Sequence, residues 1–318
     1  MTWQPSATGE TLRQRAQLLV TLRQFFAGRN VLEVETPLLC ASGVTDPALE
    51  PLTVASGQSL CGDRRYLQTS PEYAMKRLLA AQGEPIYQLC KAFRDGEAGS
   101  RHSPEFTLLE WYRPGFDMHR LMAEVAELVV TCLGELPTMT VTYRQLFLDE
   151  LQVDPFTASE QALQETAQAY IDSAGLEGNR DLWLDLLMSH VIEPRLADRG
   201  MYFVHDYPAS QAALSQVEEQ DGVAVGRRFE LYVNGMELAN GYCELTDAAE
   251  QRRRFEADNN KRRAAGQPEH PVDERLLAAM AHGLPACSGV ALGVDRLLML
   301  RLGKTDIREV LAFDWERA

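Results

Sequence analysis

The chain has 318 residues, 45% of them hydrophobic, and its 31 basic and 46 acidic residues give a net charge of −15. This length allows one large domain or two with a sizeable core, and the negative charge repels nucleic-acid backbones and gives no general attraction to membranes. No apolar run approaches a membrane span, and the six cysteines show no CxxC pair or zinc-like spacing. We therefore expect a cytoplasmic protein without a membrane segment or a structural metal.

The first predicted elements are a helix, a strand and a second helix. Residues 11–27 have the apolar periodicity of an amphipathic helix that ends at Gly28. Residues 31–36 alternate between apolar and acidic side chains, which predicts a half-buried strand. Ser70-Pro71-Glu72 has the pattern of a helix start, with Ser70 as N-cap. The apolar stripe of the first helix is predicted to consist of Leu12, Ala16, Leu19 and Phe26.

A strand, a charged loop and a second strand are predicted over residues 86–112. Arg94 ends the first strand, His102 lies at the end of the loop, and Phe106 opens the second strand. An arginine can neutralise a phosphate and an aromatic ring can stack on a base, so this hairpin predicts a nucleotide site.

Further along the chain, Asp117 is predicted to cap a helix that ends near Gly134. Residues 135–200 have helical patterns but little chemistry, and we interpret them as an inserted or packing layer. The Asn234-Gly235 pair predicts a tight turn between two strands.

The last third contains two more predicted helices, starting at Asp247 and at about residue 273, and then the segment GVALGVDR at 289–296. That segment runs into an apolar helix with Gly303 as its stop. Strands therefore lie mostly next to strands, which predicts an α+β fold with an antiparallel sheet and not an alternating βα pattern. Neither GxGxxG nor GxxxxGK[ST] is found. The basic clusters at 252–254 and 261–263 are predicted to be solvated helix faces.

The GVALGVDR segment favours a second part of a nucleotide site. Gly289 and Gly293 leave one face of a strand without side chains, so that a flat or bulky ligand can lie against the backbone. The alternative is close helix–strand packing with a surface pair between Asp295 and Arg296. Beside the arginine hairpin, we favour two arginines, Arg94 and Arg296, that converge on one triphosphate.

The segment MELANGYCELTD places Glu237 and Glu244 seven residues apart between apolar flanks. Buried acids are costly unless they are paired or bind a cation, and two oxygen ligands facing a triphosphate suggest Mg²⁺. Glu244 could instead hold a substrate ammonium, and the remaining alternative is an exposed turn. Glu72 is either a ligand or a favourable first-turn acid. Tyr112, taken singly, is more typical of a core residue than of a ligand contact. No triad or covalent nucleophile is visible.

Three segments, in order, resemble the three signature motifs of class II aminoacyl-tRNA synthetases. FFAGRNVLEVETPLL resembles motif 1, FRDGEAGSRHSPEF motif 2 and GVALGVDRL motif 3. The resemblance covers most of the chain except residues 135–200. It implies one catalytic domain over residues 1–318, a class II antiparallel sheet flanked by helices, a mainly helical insertion near 135–200, and ATP and Mg²⁺ as cofactors. It also implies a homodimer through residues 12–37.

The segments TSPEYAMKRLL, RHSPEFTLLEWY and MELANGYCELTDAAEQRRRF are similar to the lysyl-tRNA synthetase branch. The resemblance implies that Arg94 contacts the ATP α-phosphate, that Phe106 stacks on adenine and that Arg296 contacts the γ-phosphate. It also implies that Arg94 and Arg296 are the catalytic residues. The implied ATP-binding residues are Arg94, Asp95, Gly96, His102, Ser103, Phe106, Glu237, Leu238, Gly293 and Arg296. The implied substrate-binding residues, for the two amino groups of a lysine-like acid, are Ser70, Pro71, Glu72, Tyr112 and Glu244. The implied metal ligands are Glu237 and Glu244.

The early position of motif 1 narrows the resemblance. Lysyl-tRNA synthetases carry an anticodon-binding barrel ahead of this motif, which here begins by about residue 25, so we expect no anticodon-binding domain and no tRNA partner. The chain is similar to stand-alone members of the branch that activate (R)-β-lysine with ATP and attach it to a lysine of translation elongation factor P. The alternatives are a truncated synthetase that charges RNA, a non-catalytic regulatory paralogue and an amide synthetase for a small amine.

The sequence departs from the family pattern at three positions. Gly96 stands where motif 2 usually has a glutamate, with Glu97 one place on, and Ser103 replaces a common asparagine. Ala291 stands at a usual glycine of motif 3. Its extra methyl group would line the pocket wall and alter the choice of amino acid.

Overall fold

The computed structural model describes residues 3–55, 64–173 and 175–318. The helices are α1 (Gly9–Ala27), α2 (Glu72–Gln82), α3 (Met118–Leu133), α4 (Tyr143–Leu151), α5 (Glu160–Gln168), α6 (Arg180–Leu187), α7 (Glu193–Arg195), α8 (Ala248–Ala264), α9 (Glu274–Gly283) and α10 (Val294–Leu302). The strands are β1 (Leu32–Glu33), β2 (Leu39–Cys40), β3 (Thr53–Val54), β4 (Arg65–Leu67), β5 (Ile86–Phe93), β6 (Glu105–Pro114), β7 (Thr138–Thr142), β8 (Met201–Pro208), β9 (Val217–Gln220), β10 (Val223–Val233), β11 (Met236–Cys243) and β12 (Cys287–Gly293).

Nine of the described strands form one large sheet in the order β1-β5-β6-β12-β11-β10-β8-β7, with β9 paired to β10. Every neighbouring pair in it is antiparallel except β1 with β5 and β7 with β8. The predicted α+β class with an antiparallel sheet is therefore confirmed. The short strands β2, β4 and β3 form a separate small sheet.

One face of the large sheet carries the main hydrophobic core. Helices α1, α3 and α10 pack there against apolar side chains of β6, β10, β11 and β12. Phe26 of α1 stacks on Tyr87 of β5 with ring centroids 4.3 Å apart. Trp111 of β6 meets the Phe26 ring edge-on. Because side chains alternate along a strand, this arrangement leaves the opposite face of the central strands free for polar groups.

Local signals explain most of the element ends. The Asp117 side chain accepts a hydrogen bond from the Arg120 N–H and caps α3, which ends at Gly134. Asn234 and Gly235 join β10 to β11 with φ angles of 49° and 73°, the left-handed region that this turn requires. The predictions of these boundaries are confirmed.

Three local predictions are wrong. Helix α2 begins at Glu72, with Pro71 in the N-cap position and no side-chain cap, so Ser70 does not cap it. In α1 the side chain of Ala16 is exposed, because the buried stripe is shifted. It consists of Thr11, Leu18, Leu22, Phe25 and Phe26. Arg262 of the 261–263 cluster is fully buried, because it binds the Glu50 carboxylate and the Pro268 carbonyl.

The region between residues 135 and 200 holds helices α4 to α7, but it begins with β7, a strand of the large sheet that the sequence pattern did not predict. Its helices form a second core around Phe147, Trp183 and Leu187, which packs against Tyr207 and Tyr232 of the sheet. The region therefore packs against the part of the large sheet formed by β8 and β10. No helix within the described ranges is long and apolar enough to cross a bilayer.

Candidate active site

A cleft runs along the polar face of β6 and its neighbour β12. Phe106, Glu110 and Tyr112 alternate onto this face, whereas Leu109 and Trp111 point into the main core. Across the strand pair, Tyr112 lies opposite Gly289 and Glu110 opposite Ala291. The predicted adenine-stacking residue and the predicted amino-acid residue therefore lie at opposite ends of one strand.

One end of the cleft holds a largely buried group that we name the acid cluster: Glu72, Lys76, Glu110, Tyr112 and Glu244. All of its members except Lys76 line the cleft. The Lys76 Nζ lies 2.5 Å from Glu72 Oε1 and 2.6 Å from Glu244 Oε2. The Tyr112 hydroxyl donates a hydrogen bond of 2.7 Å to Glu110 Oε1. Three predicted substrate residues, Glu72, Tyr112 and Glu244, are thus brought together, and two further charged residues join them.

Burial shapes the protonation of the acid cluster. Desolvation, with Glu72 adding repulsion, raises the pKa of Glu110 to about 8. Desolvation also raises the pKa of Glu244, although Lys76 works against it. Glu110 Oε2 has no hydrogen-bond partner among the described residues. At neutral pH the cluster therefore holds a proton on Glu110, which an incoming cation can replace.

Glycine at position 289 makes the close approach of these groups possible. A Cβ atom built on Gly289 would lie 2.4 Å from Tyr112 ring carbons and 2.5 Å from Glu244 Oε1. Such contacts are far inside van der Waals distance, so any side chain at 289 would displace the phenol or the carboxylate. The sequence predicts a ligand against this bare strand face, but at Gly289 the space is taken by the protein's own Tyr112 and Glu244 side chains.

The acid cluster opens into a cavity of about 1040 Å³. Ser70, Pro71 and Glu72 line one wall, and Arg94 also reaches the cavity, whereas Phe106, Glu237 and Arg296 are not part of its lining. The insertion contributes Asn179, Asp181 and Asp185 to the lining. The cavity thus connects the acid cluster to the motif 2 arginine and is partly covered by the insertion.

The other end of the cleft carries the predicted phosphate and metal groups. The Arg296 Nη1 donates to the Glu237 carbonyl at 2.8 Å and lies 3.3 Å from Glu237 Oε2. Its Nη2 lies 2.8 Å from His102 Nε2. Desolvation lowers the pKa of His102, and the positive charge of Arg296 lowers it further. The imidazole is therefore neutral and accepts this hydrogen bond. The structure brings Arg296, Glu237 and His102 into one contact group.

The motif 2 arginine lies beside the predicted adenine platform. The Arg94 guanidinium carbon is 5.1 Å from the Phe106 ring centroid, and Arg94 Nη1 lies 3.6 Å from Glu97 Oε1. The Gly96 N–H donates to Asp95 Oδ1, and Gly96 has a φ of 78°, which an L-residue rarely adopts. Glu97, one place on, therefore supplies the carboxylate contact to Arg94 in this loop.

Ser103 and Leu238, two more of the predicted ATP-binding residues, are buried, and Gly293 ends β12 just before α10. The alternative of a surface pair between Asp295 and Arg296 is wrong. Asp295 is buried and instead accepts from Arg15 at 2.6 Å and from the Thr107 N–H at 2.7 Å.

The predicted sharing of one metal ion by Glu237 and Glu244 requires a correction. Glu237 lies near the start of β11, and Glu244 directly follows its last residue, Cys243. Seven steps of about 3.3 Å separate the two backbones by about 23 Å in an extended chain. Mg²⁺ ligands lie about 2.1 Å from the ion, so both carboxylates cannot hold the same ion. Glu244 is occupied by Lys76, and only Glu237 remains at the phosphate end.

Glu237 fits a site for Mg²⁺, because its carboxylate is a hard oxygen ligand that is partly exposed beside the phosphate-end arginine. Glu193, within the 135–200 region, faces the same end of the cleft. Desolvation raises its pKa to about 8, and repulsion from the Glu237 and Glu230 carboxylates acts in the same direction. Burial therefore favours the neutral form of the Glu193 carboxyl group, so that Glu193 adds little charge to this end of the cleft. No group of three metal-binding side chains is found in the part of the chain that the structure describes.

Comparisons with known proteins identify the family of the chain. The family model for class II tRNA synthetases (D, K and N) matches residues 1–317. Since the match spans nearly the whole chain and the fold is the corresponding antiparallel sheet, it decides the assignment. The chain belongs to the class II tRNA synthetase family. It is accordingly a ligase-type enzyme.

Curated relatives within the class II family share about half of their residues with this chain. The protein from Pseudoalteromonas translucida (strain TAC 125) is 51% identical over 99% of this chain and 98% of the relative. Those from Edwardsiella ictaluri (strain 93-146) and Salmonella typhi are 51% and 50% identical, over 99% and 100% of this chain and 98% of each relative. All three are named elongation factor P–(R)-β-lysine ligase.

Sequence reasoning missed two members of the acid cluster. Glu110 follows Phe106 by four residues and precedes Tyr112 by two, so the alternation of a strand places all three on one face. That signal could have identified it. Lys76 gave no such signal, because a lysine one turn after Glu72 is typical of an exposed helical ion pair. Its burial depends on Glu244, which comes from a distant part of the chain.

Proposed function

We propose that this protein activates (R)-β-lysine, or lysine, with ATP as an aminoacyl-adenylate and transfers it to a lysine ε-amine of translation elongation factor P. The names of the three relatives, elongation factor P–(R)-β-lysine ligase, support the acceptor and the amino acid. The class II family supports ATP, with Mg²⁺, as the activating reagent.

The observation that carries the proposal is the polarity of the cleft. A cluster of three carboxylates, of which Glu110 and Glu244 are buried, lies at one end, and the arginines suited to phosphates lie towards the other. A diamino acid needs acidic partners and a hydroxyl acceptor or donor such as Tyr112. The cavity that links the acid cluster to Arg94 would let the carboxylate of such a substrate point towards the α-phosphate.

In the first step, a carboxylate oxygen of the amino acid attacks the α-phosphorus, an O–P bond forms, and pyrophosphate leaves. We infer that Arg94 binds the α-phosphate and Arg296 the γ-phosphate, which would require Arg296 to leave its contact with Glu237. No protein nucleophile takes part, so the contribution of the protein is positioning and charge neutralisation. Mg²⁺, held by Glu237, would supply further neutralisation of phosphate charge.

In the second step, the ε-amine of the acceptor lysine attacks the adenylate carbonyl, an amide bond forms and AMP leaves. That amine has an ordinary pKa of about 10.4 and must lose a proton before it attacks. The cavity next to Arg94 gives the acceptor side chain a route to the activated carbonyl, between the insertion and the loop before α2.

We further infer a homodimer through residues 12–37 of a single catalytic domain. Along this stretch Val20 and Leu32 leave 53% and 48% of their surface exposed, and Leu38 just beyond it is also exposed. Apolar side chains exposed in one region are typical of an interface. We also propose that the protein does not act on tRNA, which the negative net charge supports. We propose a cytoplasmic location as well, which the described cysteines support because all of them are free.

The proposal is tested by ATP–pyrophosphate exchange with a panel of amino acids. We expect exchange with (R)-β-lysine or lysine and none with norleucine, which lacks the side-chain amine, or with glutamate, which the acid cluster would repel. Exchange that is equally fast with norleucine would contradict the assignment of the acid cluster to substrate amines. A lack of exchange with every amino acid would instead support the non-catalytic paralogue.

A further inference from the structure

Lys76 is a buried lysine with an unusual set of partners. Only 1% of its side chain is exposed, and its neighbours in α2, Met75 and Leu79, pack into an apolar core with α9. Burial alone lowers the pKa of Lys76, but the carboxylates of Glu244 and Glu72 outweigh it and raise the pKa above the ordinary value. Lys76 is therefore a permanently charged ammonium inside the protein.

Lys76 does not line the cavity, although Glu72, Glu110 and Glu244 do. It lies behind the carboxylates, with its Nζ between one oxygen of Glu72 and one oxygen of Glu244. Any effect of Lys76 on a ligand in the cavity must therefore pass through these two carboxylates. In this sense it can be a positioning residue and not a residue that touches the substrate.

The charges of the acid cluster do not balance by themselves. Three carboxylates face one ammonium, which leaves two negative charges when all three acids are ionised. The other titratable groups around them are uncharged, because burial raises the pKa of the Tyr112 and Tyr242 hydroxyls and of the Cys243 and Cys287 thiols. The nearby Arg228 guanidinium is bound to Glu230.

We propose that Lys76 determines amino-acid specificity by limiting the pocket, once all three acids are ionised, to two net negative charges, one for each amino group of a diamino acid. Its ammonium also holds one oxygen of Glu72 and one oxygen of Glu244 in place, so that the other oxygen of each carboxylate is left for the substrate. This inference rests on the proposed function, since it assumes that the cluster binds the amino groups of a lysine-like substrate.

Without Lys76, two buried carboxylates would lie close together with no fixed cation. Such pairs take up a proton, because like charges and desolvation both disfavour the ionised form. A substrate ammonium would then have to displace that proton as well as the one on Glu110. The affinity for the amino acid would fall at neutral pH and would depend more steeply on pH than in the unmodified protein.

The test uses Lys76→Met, which keeps the length of the side chain but removes the charge, and Lys304→Met as a control. Lys304 pairs with Glu309 on the surface, so the control removes one lysine charge outside the site. ATP–pyrophosphate exchange is measured from pH 6.5 to 9 with varied β-lysine and varied ATP. We expect the KM for β-lysine at pH 7 to rise at least about tenfold in Lys76→Met, with the KM for ATP within about twofold, a steeper pH profile, and no change in the control.

A second variant keeps the test decisive if Lys76→Met does not fold, as judged by circular dichroism and thermal unfolding. Lys76→Ala leaves space for a small cation, and we expect methylammonium chloride, but not sodium chloride at the same concentration, to restore part of its exchange activity. An unchanged KM and pH profile in a folded variant, equal increases in both KM values, or no rescue by methylammonium would overturn the inference. If the unmodified protein shows no exchange with either lysine, the proposed function fails and this inference fails with it.

Discussion

The substitution Gly289→Ala tests the geometry of the amino-acid end most sharply. The new methyl group would lie 2.4 Å from the Tyr112 ring and 2.5 Å from Glu244 Oε1. Both neighbours are buried, and Glu244 is anchored by Lys76, so neither can give way freely. Overpacking of this kind costs about 2 kcal/mol, which corresponds to roughly a 30-fold loss in kcat/KM for the amino acid.

The assay is ATP–pyrophosphate exchange with β-lysine and ATP varied in turn, together with thermal unfolding. Gly9→Ala in α1 is the matched control, because the nearest atom to its new methyl group is 3.8 Å away and belongs to the flexible Arg13 side chain. We expect the loss in Gly289→Ala to appear with β-lysine and not in the KM for ATP. Full activity of Gly289→Ala with a normal KM for β-lysine would refute the placement of the substrate against Tyr112 and Glu244.

Three other predictions concern the two ends of the cleft. Arg94→Ala and Arg296→Ala should each abolish adenylate formation, since each removes a fixed positive charge from the phosphates, and near-normal exchange in either would contradict its assignment. The KM for the amino acid should fall as the pH rises from 6 to 8 and then level off, because the pKa of Glu110 is raised to about 8 and the substrate cation binds its ionised form. Glu110→Gln should remove this dependence in a pH series of exchange assays, and a profile like that of the unmodified protein would show that another group titrates. Ala291→Gly should shift the preference towards α-lysine by removing one methyl group from the cavity wall, and an unchanged ratio of kcat/KM values for the two lysines would reject this role.

The sequence predicts those parts of the fold that depend on local physical chemistry. The turn at Asn234-Gly235 needs two residues that accept positive φ angles, and the cap at Asp117 needs one short acceptor side chain. Both signals are complete within a few residues. The same holds for the order of hairpins, which indicated the antiparallel sheet.

Other features depend on contacts between distant segments and could not be predicted in this way. Arg262 resembles the exposed basic residues on either side of it, and its burial is due to Glu50, more than two hundred residues earlier in the chain. The partnership of Lys76 with Glu244 has the same origin. The spacing of Glu237 and Glu244 suggested a shared ion, but the extended strand between them separates the two acids.

The site was therefore predicted best where a motif contains its own geometry, as in the hairpin from Arg94 to Tyr112. The site was predicted least well in the acid cluster, where the balance of buried charges determines the protonation of the residues. The net charge of a buried cluster depends on every segment of the chain that contributes a residue to it. Lys76 was missed for this reason, and together with Glu110 it sets the protonation of the pocket.

The acceptor of the activated amino acid is the central claim, and one measurement tests it directly. The protein is incubated with ATP, Mg²⁺ and (R)-β-lysine in the presence of both elongation factor P and lysine tRNA, and both products are weighed by mass spectrometry. We predict that the factor gains one lysyl group on a single lysine and that the tRNA stays uncharged. Charged tRNA with an unmodified factor would contradict the account.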